Sequence, residues 1–224
     1  MVSVTRGNIR PPASRPTTLE IWADIVCSWC YVGKRHLEAA VGGLAEDDVE
    51  IVWRSFELDP TLPADAGSAD EELARRRGLT LAEARAMHEE TEHMGAEMGI
   101  HFDFARARRG NTFDAHRVLH MAHAEGRQAA AMDRLLAAYF SEGEPIGDRA
   151  ALARVAGGAG LDPAAVGAML AGDAYAADVR ADEREAAALG ITAVPFFVID
   201  RRFGLAGAHP AETLRAAIEQ ARTG

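Results

Sequence analysis

Residues 19–30 read Leu-Glu-Ile-Trp-Ala-Asp-Ile-Val-Cys-Ser-Trp-Cys, an apolar and β-branched run that ends in two cysteines. The run up to Val26 is typical of a buried strand. Apolar residues then recur three and four positions apart over residues 37–44, which predicts a helix directly after the cysteines. Residues 49–54 return to the alternation of a strand. The start of the chain therefore predicts a β-α-β unit with both cysteines at the strand-to-helix junction.

The rest of the chain divides into a helical block and a second group of strands. Residues 63–189 are predicted to be helical throughout, and several helix starts carry cap signals. These are Ser68 with Glu71, Thr80 with Glu83, Asp162 before Pro163, and Asp173 before the last helix of the block. Strands are predicted at residues 195–200 and 203–207, and a final helix begins at Pro210. The predicted fold class is α/β.

Strands from both ends of the chain must share one sheet, because neither half alone closes a core. The predicted organisation is a sheet domain made of residues 18–62 and 190–224, interrupted by an α-helical insertion at residues 63–189. The last helix of the insertion is a candidate to pack with the sheet domain. Residues 1–17 are predicted to be a disordered leader, because they are rich in proline and arginine and lack the hydrophobic core of a secretory signal. The protein is therefore predicted to be cytoplasmic.

Composition limits the classes of function. The 224 residues include 34 acidic and 24 basic side chains, which give a formal net charge of −10. This balance argues against a general nucleic-acid or anionic-membrane binder, because such proteins need a clustered basic face. The basic runs at residues 75–77 and 106–109 lie beside predicted helices and are interpreted as solvated faces. No apolar run approaches the ~20 residues needed to span a bilayer.

The cysteine pair indicates redox chemistry. The loop between Cys27 and Cys30 is too short to stabilise the fold by cross-linking. Cys27 stands where the helix begins, and there free backbone N–H groups and the helix dipole favour a thiolate. Cys30 lies one turn on, so it can attack a mixed disulfide at Cys27 and release the substrate. Two inert thiols, or half of a zinc site, are the alternatives, but no second Cys-x-x-Cys completes the latter.

Residues around the pair are candidates for supporting roles. Trp29 either offers an apolar surface to a substrate or packs against the helix. Asp24 is a candidate proton relay for Cys30, although a solvent-facing carboxylate at the strand end is the favoured interpretation. Val194-Pro195 is either a proline at the first residue of a strand or a cis bond that leaves the backbone of Val194 free to pair with an extended substrate.

Four motifs carry a resemblance to a known family. They are Asp24-Ile-Val-Cys-Ser-Trp-Cys-Tyr-Val-Gly-Lys34, Trp53-Arg-Ser-Phe-Glu-Leu-Asp-Pro60, Asn111-Thr-Phe-Asp-Ala-His-Arg117 and Val194-Pro-Phe-Phe-Val198. With them the chain resembles, over almost its whole length after the leader, the DsbA-like thioredoxin superfamily and, within it, the FrnE-like proteins. The resemblance implies a thioredoxin fold with an inserted α-helical domain and a cis-proline loop at Val194-Pro195 that faces the dithiol.

The chain departs from this family in two respects. Ser28-Trp29 replaces the common Pro-Trp between the cysteines, so the redox potential of the family cannot be carried over. The additional C-terminal cysteine pair of some relatives is absent from the sequence, which puts a two-site isomerase mechanism in doubt. Ser28 stays a candidate site-lining residue.

Glutathione-using relatives suggest two further candidates. In kappa-class glutathione transferases and 2-hydroxychromene-2-carboxylate isomerases, an asparagine-containing segment of the insertion lies near the active site. The resemblance therefore makes Asn111 and His116 candidate site-lining residues. His116, His120 and His123 share one flank of a predicted helix, but no residue with ligand spacing completes a metal site, and a polar flank is the favoured interpretation. No metal or cofactor is predicted, and glutathione is a candidate redox partner.

Three functions stay open from the sequence. The leading one is disulfide exchange with protein substrates, as a reductase or isomerase if the compartment is reducing. The second is a glutathione-dependent isomerase or transferase acting on a small aromatic or polyketide-like molecule. Retention of both cysteines counts against it, because those relatives usually keep one hydroxyl or thiol at that position. The third is a non-enzymatic folding or assembly partner whose helical block binds client proteins.

Overall fold

The computed structural model describes residues 15–45 and 48–223. In chain order its elements are β1 (Thr17–Ala23), α1 (Ser28–Val41), β2 (Val49–Ser55), β3 (Gly67–Ser68), α2 (Ala69–Arg77), α3 (Leu81–Glu97), β4 (Arg108–Arg109), α4 (Phe113–Ala124), α5 (Gln128–Ala137), α6 (Arg149–Gly157), α7 (Pro163–Ala171), α8 (Ala176–Ala188), β5 (Phe196–Ile199), β6 (Phe203–Ala206) and α9 (Ala211–Thr223). A π-helical turn, Ala138–Glu142, continues α5. No helix in these two described stretches is long and apolar enough to cross a membrane.

Strands from both ends of the chain form one sheet, in the order β2-β1-β5-β6. β1 and β2 are parallel, and β5 and β6 are each antiparallel to their neighbours. The parallel pair needs a crossover helix, which α1 supplies. This arrangement is the thioredoxin fold, and the predicted α/β class with an inserted helical domain is confirmed.

The sheet is buried on both faces. Leu19 and Ile21 of β1 face a core that includes Leu37 of α1 and Leu214 of α9. Trp22 faces the opposite side, where it belongs to a second apolar cluster and its Nε1–H donates to the Asp182 carbonyl oxygen of α8 at 3.0 Å. The last helix of the insertion thus packs against the sheet. Because both faces are covered, β1 reads as a nearly continuous apolar run rather than a clean alternation.

The insertion docks on α1 through aromatic side chains. Tyr31, one residue after the cysteine pair, lies 5.8 Å in ring-centroid distance from Phe102 and 6.0 Å from Phe140. The apolar core is continuous across this contact. The insertion therefore holds a fixed position beside the start of α1, where both cysteines lie.

The predicted helix caps are confirmed in three of four cases. Ser68 and Thr80 form capping boxes with Glu71 and Glu83, and Asp162 accepts from the backbone N–H of Ala164. The fourth is wrong, because α8 begins only at Ala176, after Tyr175 in a left-handed conformation with φ 61°. The fully helical prediction for the insertion is also wrong, since β3 and β4 pair as a short antiparallel ladder.

The edge of β2 is closed by side chains from the insertion. The Gln128 amide accepts from the Trp53 backbone N–H at 3.0 Å and donates to the Trp53 carbonyl oxygen at 2.9 Å. Asp182 accepts from the backbone N–H of Ser55 at 2.9 Å. Of the predicted leader, residues 1–14 lie outside the described part of the chain, and Thr17 is already the first residue of β1.

Candidate functional site

Cys27 is the N-cap residue of α1, with extended backbone angles (φ −96°, ψ 110°). The backbone N–H groups of Cys30 and Tyr31 donate to its carbonyl oxygen at 3.0 and 3.3 Å and so start the helix. Both cysteines are free thiols; Cys27 is 8% exposed and Cys30 is fully buried. The predicted strand-to-helix placement is confirmed, and only Cys27 meets solvent.

The two thiols have opposite acidities. The Cys30 thiol, together with the backbone N–H groups of Cys30 and Trp29, lowers the pKa of Cys27 below its ordinary value, against the effect of burial. Burial raises the pKa of Cys30 well above its ordinary value, and the neighbouring Cys27 raises it further. A low pKa favours the nucleophilic thiolate. These directions make Cys27 the candidate attacking thiol and Cys30 the candidate resolving thiol.

Alkylation should report this difference. The rate of Cys27 modification by iodoacetamide is expected to reach half its maximum at a lower pH than that of free cysteine, because the thiolate is the reactive form. In a Cys30→Ala variant the thiol donor is lost, so this midpoint should shift to higher pH. Mass spectrometry of the alkylated peptide gives the rate. A midpoint at or above that of free cysteine would contradict the assignment.

The loop before β5 faces the dithiol. The Val194-Pro195 peptide bond is cis. The Cys27 thiol lies 3.7 Å from the Val194 carbonyl oxygen and can donate to it. A hydrogen bond on the other side of the loop holds Pro195 in place: its carbonyl oxygen accepts from the backbone N–H of Gly207 at 2.8 Å. The structure thus brings together two segments that are 167 residues apart in the chain.

Gly33 keeps α1 close to this loop. A Cβ atom at position 33 would lie 2.9 Å from Cγ of Pro195 and 3.4 Å from the ring of Phe197. The first of these distances is shorter than real Cβ atoms show, so Pro195 would have to shift.

We expect Gly33→Ala to slow disulfide exchange by about ten- to a hundredfold, because displacing the loop misaligns the substrate. Gly43→Ala is the matched control, since a Cβ there meets nothing within 4 Å. Insulin-disulfide reduction, followed alongside thermal unfolding, separates misalignment from loss of fold. Equal rates for both variants would show that the approach of α1 to Pro195 is unimportant.

Asp24 lies beneath the dithiol rather than in solvent. It is 1% exposed, so the favoured solvent-facing interpretation is wrong. Its Oδ2 atom accepts from the Leu58 backbone N–H at 2.8 Å. Its Oδ1 atom lies 3.5 Å from Nε2 of His116, and Oδ1 and both ring nitrogens of His116 are buried without a hydrogen-bond partner among the described residues. The negative charge of Asp24 raises the pKa of both cysteines, which places the carboxylate within electrostatic reach of the pair.

The histidines do not form one polar flank. His116 is fully buried behind Asp24, which contradicts the interpretation of a polar flank. His120 lies 3.1 Å from Asp182 and from the Ser55 hydroxyl, and His120 and His123 both line a cavity whose lining includes neither cysteine. No group of three or more potential metal ligands occurs in the described ranges 15–45 and 48–223.

Of the other candidate site residues, Trp29 and Ser28 lie beside Cys27, whereas Asn111 does not. Trp29 is 53% exposed beside Cys27, so packing against the helix does not cover it, and Ser28 opens α1 next to it. Lys34, the last residue of the cysteine motif, is buried and pairs with Glu38 and Asp133. Asn111 bonds to Glu57 and to the carbonyl oxygen of Pro60, and it does not line the groove described next.

A groove of about 310 Å³ runs from Cys27 along the insertion. Its lining comprises Val26, Cys27, Ser28, Trp29 and Val194 from the sheet domain, Leu58, and Ala69, Glu72, Leu73, Arg76, Arg77, Met87, His88, Thr91, Phe104, Arg109 and Tyr139 from the insertion. A larger cavity of about 410 Å³ lies around Glu20, Arg54 and Arg201, whose charges pair with one another. The groove is the relevant space, because it alone of these two includes a reactive thiol.

Sequence reasoning missed Arg109 and Tyr139. Arg109 was assigned to a solvated basic face, yet it is only 9% exposed and lines the groove. Tyr139 is almost fully buried and also lines the groove. Periodicity gives no sign of either position, because the groove forms only when the insertion docks on α1.

Known proteins with a similar sequence and fold are consistent with a dithiol at the start of α1. A family model described as the DSBA-like thioredoxin domain matches residues 18–219, and the chain belongs to this family. A probable DsbA oxidoreductase from Streptomyces coelicolor is 42% identical, with 92% of this chain and 90% of that chain covered and a TM-score of 0.86. The protein is accordingly a DsbA-like thiol–disulfide oxidoreductase with a Cys-x-x-Cys pair.

Two more distant relatives complete the comparison. The uncharacterized protein YwbO from Bacillus subtilis is 28% identical over 184 residues, which cover 81% of this chain and 86% of that protein. The cytosolic disulfide reductase DsbM from Pseudomonas aeruginosa is 20% identical, with 92% of this chain and 100% of that chain covered and a TM-score of 0.63. That reductase has also been solved with GSH. At this identity the likeness to DsbM concerns the fold.

Proposed function

We propose that the protein exchanges disulfides with protein substrates in the cytoplasm, as a reductase or isomerase. The observation that carries this proposal is the difference between the two thiols. Cys27 has a lowered pKa and is in contact with solvent, whereas Cys30 is buried and has a raised pKa. The exposed indole of Trp29 beside Cys27 provides an apolar contact surface for a substrate. The carbonyl group of Val194 provides a backbone acceptor for an extended peptide.

The reaction proceeds in two displacements. The Cys27 thiolate attacks one sulfur of the substrate disulfide, the substrate S–S bond breaks, and one substrate thiolate leaves. Cys30 then loses its proton and attacks the Cys27 sulfur, which breaks the mixed disulfide and releases the second substrate thiolate. The substrate gains two electrons, and Cys27 and Cys30 become a disulfide. Two equivalents of a small thiol, for which glutathione is a candidate, return the pair to the reduced state.

Asp24 is the proposed proton acceptor in the second displacement. Cys30 is buried and must lose its proton at the moment of attack. The Asp24 carboxylate is also buried, its charge acts on the pKa of Cys30, and its Oδ1 atom has no donor among the described residues. Nε2 of His116 lies 3.5 Å from that atom, which makes His116 a candidate positioning residue for the carboxylate.

Insulin reduction and the redox potential test the proposal. The reduced protein is expected to accelerate insulin precipitation by dithiothreitol. In glutathione buffers the Cys27–Cys30 couple should titrate in the range of the cytosolic pool, about −220 to −260 mV, because a reductase must not be more oxidising than its electron source. No acceleration would refute disulfide exchange, and a potential near about −120 mV would instead indicate an oxidase.

A further inference from the structure

The groove beside Cys27 is locally positive although the chain carries a net charge of −10. Arg76 and Arg77 lie at the end of α2 and line the groove, and neither forms an ion pair with a described residue. The one carboxylate in the lining, that of Glu72, is held by two hydrogen bonds from Arg75. The unbalanced charge of the groove is therefore positive.

Arg109 is the buried member of this set. Its backbone is fixed in the β3–β4 ladder, where its carbonyl oxygen accepts from the Ala66 N–H at 2.8 Å. The guanidinium reaches to the residue before Cys27 and donates to the Val26 carbonyl oxygen at 3.5 Å. Among the described residues this is its one side-chain hydrogen bond to a backbone group, the Tyr139 hydroxyl lies within its hydrogen-bonding reach, and no carboxylate forms an ion pair with it. Its remaining nitrogens are not among the fully enclosed atoms, so they meet the groove.

An unpaired cation in such a place needs an explanation, because burying a charge without a partner costs several kcal/mol. Tyr139 does not neutralise it. Burial raises the pKa of Tyr139 to about 12, although the positive charge of Arg109 opposes this, so the phenol stays protonated near neutral pH. Among the described carboxylates the charge of Arg109 helps to lower the pKa of Asp59, but the two form no ion pair, so an anionic ligand can supply the missing partner.

We propose that Arg109 binds a carboxylate of the substrate, and that the groove selects disulfides and thiols with a carboxylate close to the reacting sulfur. The inference rests on the proposed function of Cys27. A guanidinium and a carboxylate form strong, charge-assisted hydrogen bonds. Apolar side chains of Leu58, Leu73 and Phe104 line the remainder of the groove and would contact the carbon chain between the sulfur and the carboxylate. The volume of about 310 Å³ lies in the range of small-molecule sites.

A set of small disulfides of different charge tests this. The second-order rate of oxidation of the reduced full-length protein is measured with 3,3′-dithiodipropionate (anionic), 2-hydroxyethyl disulfide (neutral) and cystamine (cationic). After correction for the reactivity of each with free cysteine, the anionic disulfide is expected to react about tenfold faster than the neutral one. Two peptide disulfides that differ only in Asp or Asn beside the cysteine show whether an acidic protein segment is recognised as well as a small acid.

Variants of two neighbouring arginines test whether Arg109 is the residue responsible for the preference for the anionic disulfide. Arg109→Gln should bring the corrected ratio of the anionic to the neutral rate down to about one, whereas Arg109→Lys should retain part of the preference. Arg108→Gln is the matched control, because Arg108 points out of the groove and pairs with Asp65. An unchanged preference in Arg109→Gln, or none in the wild type, would overturn the inference. Failure of the proposed function would look different, since all three disulfides would then react no faster than with free cysteine.

Discussion

Replacing Cys27 with serine is expected to reduce catalysed insulin reduction by about a thousandfold or more, to the uncatalysed rate. The hydroxyl group of serine is not ionised near neutral pH, and the groups that lower the pKa of Cys27 cannot make it an effective nucleophile. Cys30 cannot substitute for it, because this thiol is fully buried and its pKa is raised. Precipitation of insulin, read as turbidity, measures the loss. Activity that survives in Cys27→Ser would disprove the proposed mechanism.

The companion variant, Cys30→Ser, should behave differently. The first displacement remains possible, but no thiol attacks the mixed disulfide, so a covalent Cys27–substrate adduct is expected to accumulate. Non-reducing electrophoresis followed by mass spectrometry identifies the linked cysteine. Adducts at Cys27 in Cys30→Ser and none in Cys27→Ser would support the assigned order of attack.

An Asp24→Asn variant is expected to resolve the mixed disulfide about a hundredfold more slowly, because general base catalysis is typically worth that much or more. The attack of Cys27 should not slow, since the carboxylate charge raises the pKa of that thiol and its removal favours the thiolate. Rapid quenching with acid during one turnover, followed by mass spectrometry, measures the lifetime of the adduct. The asparagine oxygen can still accept from the Leu58 N–H, so the local fold should persist.

The control for this experiment is Asp173→Asn, a change at an exposed position between α7 and α8. His116→Asn supplies a second comparison, because loss of the neighbour of Asp24 should lengthen the adduct lifetime by a smaller factor. If Asp24→Asn resolves the adduct at the wild-type rate, Asp24 is a structural acceptor for Leu58 and takes no part in the proton transfer.

The sequence predicts the sheet and the dithiol well for a physical reason. The residues that decide β1 and α1 are adjacent in the chain, and their periodicity changes at Cys27, so local rules suffice. The Val194-Pro195 loop is different, because nothing local places it opposite a cysteine 167 residues away. Only the resemblance to a family predicted that contact, and the structure agrees with it.

Burial beneath the dithiol could not be predicted from the sequence. Asp24 and His116 are polar residues that ordinary statistics assign to the surface, yet both are buried, and His116 of α4 lies 3.5 Å from Asp24 just after β1. Arg109 was misassigned for the same reason, since a run of arginines usually marks a solvated face. In each case the position depends on how the insertion docks, which is a property of the assembled core.

The contact of Gln128 with Trp53 has a consequence for how this protein meets other chains. A sheet edge with free N–H and C=O groups is a template on which a second chain can grow, and aggregation often starts there. At β2 the amide of Gln128 and the carboxylate of Asp182 already occupy the backbone groups of Trp53 and the N–H of Ser55. A neighbouring molecule therefore finds no free backbone groups to pair with at these positions of β2, so this edge of the sheet is protected against strand addition.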